Sequence, residues 1–218
     1  MFKNFIFDLD GTLINSSKEV MICFERAFDK ANFEIDKSRL TPNVIGPPLR
    51  EILLNIAPNL TDEKMLDTVM QNFRSVYDND ENDISEIYAG VYEVLDELKQ
   101  MGCRIFMATF KPTASTMRIV KQFKLDYFEE IFTIDKYEKH ITKEEMIKII
   151  LEKYDLKKEE TVMVGDAASD MRAAKAAGVY ALAALWGYGD DKRPLIETSD
   201  AQMESMKEIW QKLNFQTI

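Results

Sequence analysis

The chain has 218 residues, 46% hydrophobic and 30% charged, the balance of a folded protein with a sizeable core and not of a disordered one. Its formal net charge of −10 argues against non-specific nucleic-acid binding and against an anionic membrane surface, so neither is expected as a partner. The same charge repels anionic substrates at long range, and a phosphate site here needs local neutralisation by metal and lysine.

Phe5-Ile6-Phe7-Asp8-Leu9-Asp10-Gly11-Thr12-Leu13 opens as a short apolar run, the pattern of a strand buried on both faces of a parallel sheet. Gly11 and Thr12 predict that the strand ends there, with Asp8 and Asp10 crowning its C-terminal edge, where ligands bind in open α/β sheets. Two unpaired acids resist ionising unless a cation lies between them, and Mg²⁺ suits carboxylate and carbonyl oxygens. Taken alone, the pair is more simply an acidic, solvated turn.

Ser16 and Glu19 predict a capping box for a helix whose buried stripe is Val20, Cys23, Phe24, Ala27, Phe28 and Ala31. A loop over Thr41–Leu49 leads into a short helix from Leu49 to Ala57, and a longer one runs from Thr61, its cap, to Tyr77. Residues 15–85 thus carry helical patterns and no strand, with the acidic run Asp78-Asn79-Asp80-Glu81-Asn82-Asp83 as the return linker. From Tyr88-Ala89-Gly90 onward the pattern alternates. A helix over Val91–Met101, stopped by Gly102, precedes a strand at Cys103–Ala108, a helix at Thr113–Phe123 and a strand at Ile131–Ile134. A helix opened by Thr142 and Glu145 runs to Tyr154, followed by a strand at Thr161–Val164 and an alanine-rich helix at Ala168–Ala177. A strand at Val179–Ala183 and a helix at Met203–Leu213 close the chain.

Such alternation predicts an α/β fold with right-handed crossovers and a parallel sheet. The helical stretch after the first strand is too long for a simple connection, so it is expected to be an inserted lid over the strand ends. Cys23 and Cys103 lack metal-ligand spacing and fit reduced core positions. A single histidine, His140, supports neither a histidine triad nor a zinc site and is expected on a surface loop. With no signal-peptide pattern and no apolar run near the length of a membrane span, the expected location is cytoplasmic.

Three further strand ends supply partners for Asp8 and Asp10. Thr109 offers a hydroxyl that can hold a phosphate oxygen or cap the next helix. Lys143 sits in the first turn of a predicted helix, where the dipole disfavours a cation; it is either solvated or drawn to nearby anions. Gly165-Asp166 ends an apolar strand, with Asp170 four residues later, placing Asp166 as a metal ligand and Asp170 behind it.

Taken in order, Asp8-x-Asp10, Thr109, Lys143 and Gly165-Asp166 with Asp170 resemble the four signatures of the haloacid dehalogenase-like (HAD) superfamily over nearly the whole chain. Ile45-Gly46-Pro47-Pro48-Leu49, Phe110-Lys111-Pro112-Thr113 and Leu185-Trp186-Gly187-Tyr188-Gly189 look like its phosphoglycolate phosphatase-like branch, which includes 5′-nucleotidase-like members. Phe110 departs from the small polar residue common after the threonine, and Ala167 from the basic or polar residue common after Asp166.

The resemblance implies a Rossmann-like three-layer α/β/α core with a parallel sheet, formed by residues 1–14 and 86–218. Residues 15–85 would be a type-one helical cap. It implies a Mg²⁺-dependent phosphatase acting on a small phosphorylated metabolite, phosphoglycolate-like or 5′-nucleotide-like, through an aspartyl phosphate. Asp8 would be the nucleophile and Asp10 the acid and base, with Thr109 and Lys143 on the phosphate oxygens. Asp8, the Asp10 backbone carbonyl and Asp166 would hold the metal, supported by Asp170. Gly46, Arg50, Phe110 and Lys111 are the candidate substrate contacts, Arg50 equally a solvated residue at a helix start. Trp186 and Tyr188 either line the entrance or pack beneath it. Asp10 itself favours phosphate esters, because the family's dehalogenases, phosphonatases and ion pumps lack an acid there. A β-phosphoglucomutase-like sugar phosphomutase and a non-catalytic binding or regulatory protein are the alternatives. The oligomeric state is not legible.

Overall fold

The computed structural model of the protein describes residues 1–78, 84–137, 141–189 and 191–213. The chain divides into two compact units, unit 1 comprising Met1–Asn15 with Ile87–Ile218, and unit 2 comprising Ser16–Glu86.

In chain order, β1 (Asn4–Phe7) leads to the short β2 (Ile14–Asn15). The helices α1 (Ser17–Lys30), α2 (Leu49–Ile56) and α3 (Glu63–Asp78) follow, and the chain returns through β3 (Glu86–Ile87). The alternating part then runs α4 (Val91–Gln100), β4 (Arg104–Thr109), α5 (Thr113–Gln122), β5 (Glu130–Thr133), α6 (Lys143–Lys153), β6 (Thr161–Gly165), α7 (Ala168–Ala177) and β7 (Tyr180–Ala184). It ends with α8 (Arg193–Thr198), β8 (Ala201–Met203) and α9 (Ile209–Lys212).

Unit 1 is built on a six-stranded sheet in the order β5-β4-β1-β6-β7-β8, every pairing parallel. The strand period of two sorts its side chains onto two faces. Phe5, Phe7, Ile105, Met107, Val162, Val164 and Leu182 pack on one side with Leu95 of α4, Ile119 of α5 and Ile209 of α9. Ile6, Phe106, Ala108, Met163, Ala181 and Ala183 pack on the other with Ile147 of α6, Met171 of α7 and Leu195 of α8. Helices thus cover both faces, the three-layer α/β/α arrangement expected of the chain. With β1 in the middle, flanked by β4 and β6, the residues leaving these strands meet at one edge.

Unit 2 has its own core, in which Phe24 and Phe28 of α1, Leu53 and Ile56 of α2 and Leu66 and Val69 of α3 are buried together. Phe24 stacks on Phe73, and Phe73 on Tyr77, at 4.4 and 5.3 Å between ring centroids.

Several expected boundaries shift. Ser16 stands at the N-cap of α1 with φ −99° and ψ 5°, not the extended backbone of a capping residue, and its side chain makes no capping hydrogen bond; the Glu19 carboxylate accepts from the Ser85 hydroxyl. The cap of α3 is Asp62 rather than Thr61: its carboxylate accepts from the Lys64 and Met65 amides at 2.8 and 3.0 Å, using charge to satisfy free N–H groups. The expected closing helix begins instead as an edge strand. Met203 is fully buried in β8 beside Ala184, and a 3₁₀ turn over Met206–Glu208 precedes the four residues of α9. Of the acidic linker, Asp78 closes α3 while residues 79–83 lie outside the described residues, as does His140. No helix among the described residues is long and apolar enough to cross a membrane.

Candidate active site

Asp8 follows β1 directly, and its amide still donates to Val164 O of β6 at 2.9 Å, so the sheet ladder sets its backbone. The turn behind it closes on Gly11, whose φ of +80° suits glycine. A Cβ on Gly11 would stand 2.1 Å from Asp166 Oδ2, so the missing side chain lets the two loops meet.

Asp8, Asp166 and Asp170 are buried, each offering a carboxylate oxygen within 4.8 Å of the others'. Asp166 leaves β6 and Asp170 lies in the first turn of α7, where its carboxylate accepts from the Ala167 amide at 3.3 Å. Gly165 is bare for the same reason as Gly11, since a Cβ there would meet Asp170 Oδ2 at 2.5 Å.

Among the described residues, the cation paired with this group is Lys143. Lys143 begins α6 with Thr142 and Glu145 forming its capping box, and the side chain turns away from solvent into the cluster. Its Nζ lies 2.5 Å from Asp8 Oδ1 and 3.1 Å from Asp170 Oδ1, and donates to Ala108 O at 2.8 Å. The charge that opposes the helix dipole is drawn inward by two carboxylates. Lys143 also passes 5.1 Å from the Phe110 ring centroid.

Lys143 pairs with two of the three acids, Asp8 and Asp170, and the electrostatics record the shortfall. Burial pushes Asp8 up to about 7, with Lys143 opposing and Asp170 and Asp10 adding to the rise. Burial, then Asp8 and Asp170, hold Asp166 well above the ordinary carboxylate range. Burial pulls Lys143 down, yet Asp170 and Asp8 more than compensate and its pKa is raised. A hard divalent cation answers this deficit: the donors are all oxygens, they converge, and only positive charge relieves the repulsion.

Asp10 is held differently. Lys111 Nζ donates to both its carboxylate oxygens at 2.9 and 3.1 Å, so the Asp10 side chain stands outside the three-carboxylate group. Thr109 ends β4 with its hydroxyl buried, accepting the Lys111 amide at 3.1 Å. Gly46 and Arg50 belong to unit 2, where the Arg50 guanidinium pairs with both oxygens of Glu63 at 2.9 and 2.7 Å.

A belt of residues fixes Asp166: Tyr188 and Trp186, expected either to line the entrance or to pack, together with Thr12, Gly187 and Lys192, to which the sequence assigned no site role. The Thr12 hydroxyl donates to its Oδ1 at 3.3 Å and the Tyr188 amide to its Oδ2 at 2.8 Å. Gly187 lies so close that a Cβ would fall 2.2 Å from Asp166 Cβ. Lys192 ties down that loop, donating to Gly187 O and Tyr188 O at 2.9 and 2.8 Å. Trp186 packs rather than lining an entrance: its indole N–H donates to Thr12 O at 3.1 Å and its ring meets Tyr88 edge-on. Burial, with Asp166 and Asp10 adding, raises the Tyr88 phenol to about 12, so it stays protonated. The only sequence hint of this belt was the glycine-aromatic run 185–189.

Among curated proteins, pyrophosphatase PpaX of Halalkalibacterium halodurans is 31% identical over 175 residues, covering 80% of this chain and 79% of its own. Tyrosine-protein kinase PtkA of Mycobacterium tuberculosis is 26% identical over 209 residues, covering 93% of this chain and 70% of its own. Among solved structures, a predicted phosphatase from Clostridium acetobutylicum superposes with a TM-score of 0.86 at 25% identity, over 98% of this chain and 99% of its own. The model of the haloacid dehalogenase-like hydrolase family matches residues 5–184, the span that holds Asp8, Thr109, Lys143, Asp166 and Asp170, and the chain belongs to that family.

Proposed function

We propose that this protein is a divalent-cation-dependent phosphatase that hydrolyses a small phosphomonoester in two steps, through an aspartyl phosphate on Asp8. The observation that carries the reading is the buried group Asp8, Asp166 and Asp170 crossed by the single cation of Lys143, with Asp10 two residues from the nucleophile.

In the first step an Asp8 oxygen forms a bond to phosphorus while the ester bond breaks, and Asp10 gives its proton to the departing oxygen. In the second step water bonds to phosphorus, the Asp8–phosphorus bond breaks, and Asp10 takes a proton from the water. Lys143 opposes the protonation of Asp8 that burial favours and meets the phosphoryl oxygens with positive charge, and the Thr109 hydroxyl orients them. Asp8, Asp166 and the Asp10 backbone carbonyl would hold Mg²⁺, with Asp170 behind them. When bound, the ion supplies charge neutralisation to the transferring phosphoryl group.

We assign residues 15–85 the family's cap function, admitting substrate and excluding bulk water, with Gly46 and Arg50 as its substrate contacts. Phe110 is the core's own candidate for substrate contact. The substrate class is a small phosphorylated metabolite, phosphoglycolate-like or 5′-nucleotide-like, met in the cytoplasm. A sugar phosphomutase has less support, because the sequence of residues 15–85 carries no clear basic cluster to hold a second phosphate. A purely binding role is disfavoured by the complete acid and lysine set.

The test is a panel of phosphomonoesters, with inorganic pyrophosphate included, assayed with and without Mg²⁺ for the native protein and Asp8→Asn. Turnover that needs both the metal and Asp8 supports the reading. Absence of turnover on every compound with metal supplied would sink it.

A further inference from the structure

Each acid of the Asp8–x–Asp10 pair has its own lysine, supplied by a different element. Lys143 of α6 takes Asp8 and Asp170, whereas Lys111, two residues beyond β4, pairs with Asp10. The Lys111 side chain is only 3% exposed, against 17% for Asp10, so this is a nearly buried pair and not a surface contact. Its backbone is held on both sides, the amide donating to Thr109 Oγ1 at 3.1 Å and the carbonyl accepting from Thr116 Oγ1 at 3.3 Å. Such anchoring is unnecessary for a lysine that only adds charge. It is what a group needs if another side chain is to be aimed by it.

We propose that Lys111 is a positioning residue for Asp10: by bonding both carboxylate oxygens it fixes the plane and rotamer from which Asp10 exchanges a proton with the leaving oxygen and with water. The inference rests on the phosphatase reading and gives Lys111 a role through Asp10 rather than on the substrate. An aspartate at a strand end has two free torsions, and a single hydrogen bond would leave the carboxylate rotating about it. Two bonds of 2.9 and 3.1 Å from one ammonium define the carboxylate's direction. The Asp10 backbone is already set by its bridge to Ile14, so the side-chain torsions are what remains to be fixed. Proton transfer tolerates little misplacement, which is why a residue remote from the reacting phosphorus can govern its rate.

The experiment compares native protein, Lys111→Met, Asp10→Asn and the double variant on two probes, glycerol 2-phosphate and p-nitrophenyl phosphate. The alkyl ester needs a proton on its leaving oxygen and the nitrophenolate does not. Lys111→Met is expected to lower kcat/KM on glycerol 2-phosphate by about 10–100-fold, part of the 10²–10⁴ that a positioned acid contributes. It should leave kcat/KM on p-nitrophenyl phosphate within about threefold, because that quantity covers transfer to Asp8 and not the later attack by water, and it should raise KM on neither ester, since the ester's binding groups are untouched. The double variant should be no slower than Asp10→Asn, because the two residues act as one unit. Lys111→Gln, which keeps one donor, should recover part of the loss and serves if the methionine variant unfolds.

A KM rise in Lys111→Met, or losses that multiply in the double variant, would place Lys111 on the substrate and overturn the proposal. Equal losses of kcat/KM on both esters would assign it a merely structural role. Failure of the native protein on both probes would instead strike the phosphatase reading itself, and the proposal with it.

Discussion

Lys143 and Asp8 are 135 positions apart, yet the ammonium lies 2.5 Å from the carboxylate, and the same ammonium is the nearest positive charge to Asp170. Removing it leaves two buried carboxylates without compensation. Lys143→Met is therefore expected to cost at least about 10²-fold in kcat, the scale of losing one preorganised charge contact. It should also destabilise the cation-free protein by about 3–5 kcal/mol, as when one partner of a buried pair is removed. Arginine should not rescue it, because a planar fork does not fit a site shaped for a single ammonium that donates to three oxygens. Steady-state kinetics with chemical denaturation check both parts; a variant of native stability and activity would contradict the geometry.

Asp8 and Asp166 make stability depend on pH in a definite direction. The folded Asp8 titrates near 7 against 3.8 for the free side chain, because burial disfavours its charge, and Asp166 is shifted the same way. Between these values the folded state keeps a proton that the unfolded state has lost. For Asp8 that contribution is therefore fully present below about pH 4 and is lost as pH rises through about 7, and Asp166 acts in the same direction. A divalent cation at the cluster offsets that loss, so Mg²⁺ should raise Tm more at pH 8 than at pH 5. Each kcal/mol recovered is worth about 2–4 °C in a chain of this size. Thermal scans at the two pH values, with Mg²⁺ and with a chelator, decide it; equal shifts would remove the cluster from consideration as the cation's site.

What the sequence made legible and what it did not divide along a physical line. Asp8, Asp166 and Lys143 could be expected together because each stands where a parallel strand ends or the next helix begins, and the alternation of elements puts those ends on one edge. The Asp10–Lys111 pair was out of reach: Lys111 was a candidate substrate contact, and only the approach of the loops after β1 and β4 turns it onto Asp10. Glu19 matched a local capping pattern but is taken by Ser85, 66 positions away, since a buried carboxylate goes to whatever donor the packing supplies. The edge strand β8 is three residues long, too short for alternation to distinguish it from the start of a helix.

Gly187 offers a test of how closely Asp166 must be held. A Cβ there would collide with Asp166 Cβ at 2.2 Å, and both partners are backbone-proximal, so neither can swing away cheaply. Gly187→Ala should displace the Asp166 carboxylate from the Tyr188 amide and weaken divalent-cation affinity by about 10–100-fold, the range seen when a ligand's support is lost. Lys192→Met, which frees the same loop without adding atoms, should produce a smaller loss in the same direction. Titration with a luminescent lanthanide reads affinity independently of turnover, and unchanged affinity in Gly187→Ala would show that Asp166 does not hold the ion.

Glu19 lies wholly buried within unit 2, with the Ser85 hydroxyl as donor to its carboxylate. The bond joins the start of α1 to the segment just before β3, so it ties together the two ends of that unit's chain. Glu19→Ala leaves the buried hydroxyl of Ser85 without this acceptor and opens a void, and should cost about 1–3 kcal/mol. Glu19→Gln keeps an acceptor oxygen in nearly the same volume and should cost less than the alanine variant. Ser85→Ala removes one donor from the buried carboxylate, and should cost more than Glu19→Gln, which keeps an acceptor for the serine hydroxyl. Denaturant unfolding of the three variants sets the order. If Glu19→Gln proves the most damaging of them, the charge on Glu19 answers to something other than the serine hydroxyl, and the tie between the two chain ends is not what holds this corner of the unit.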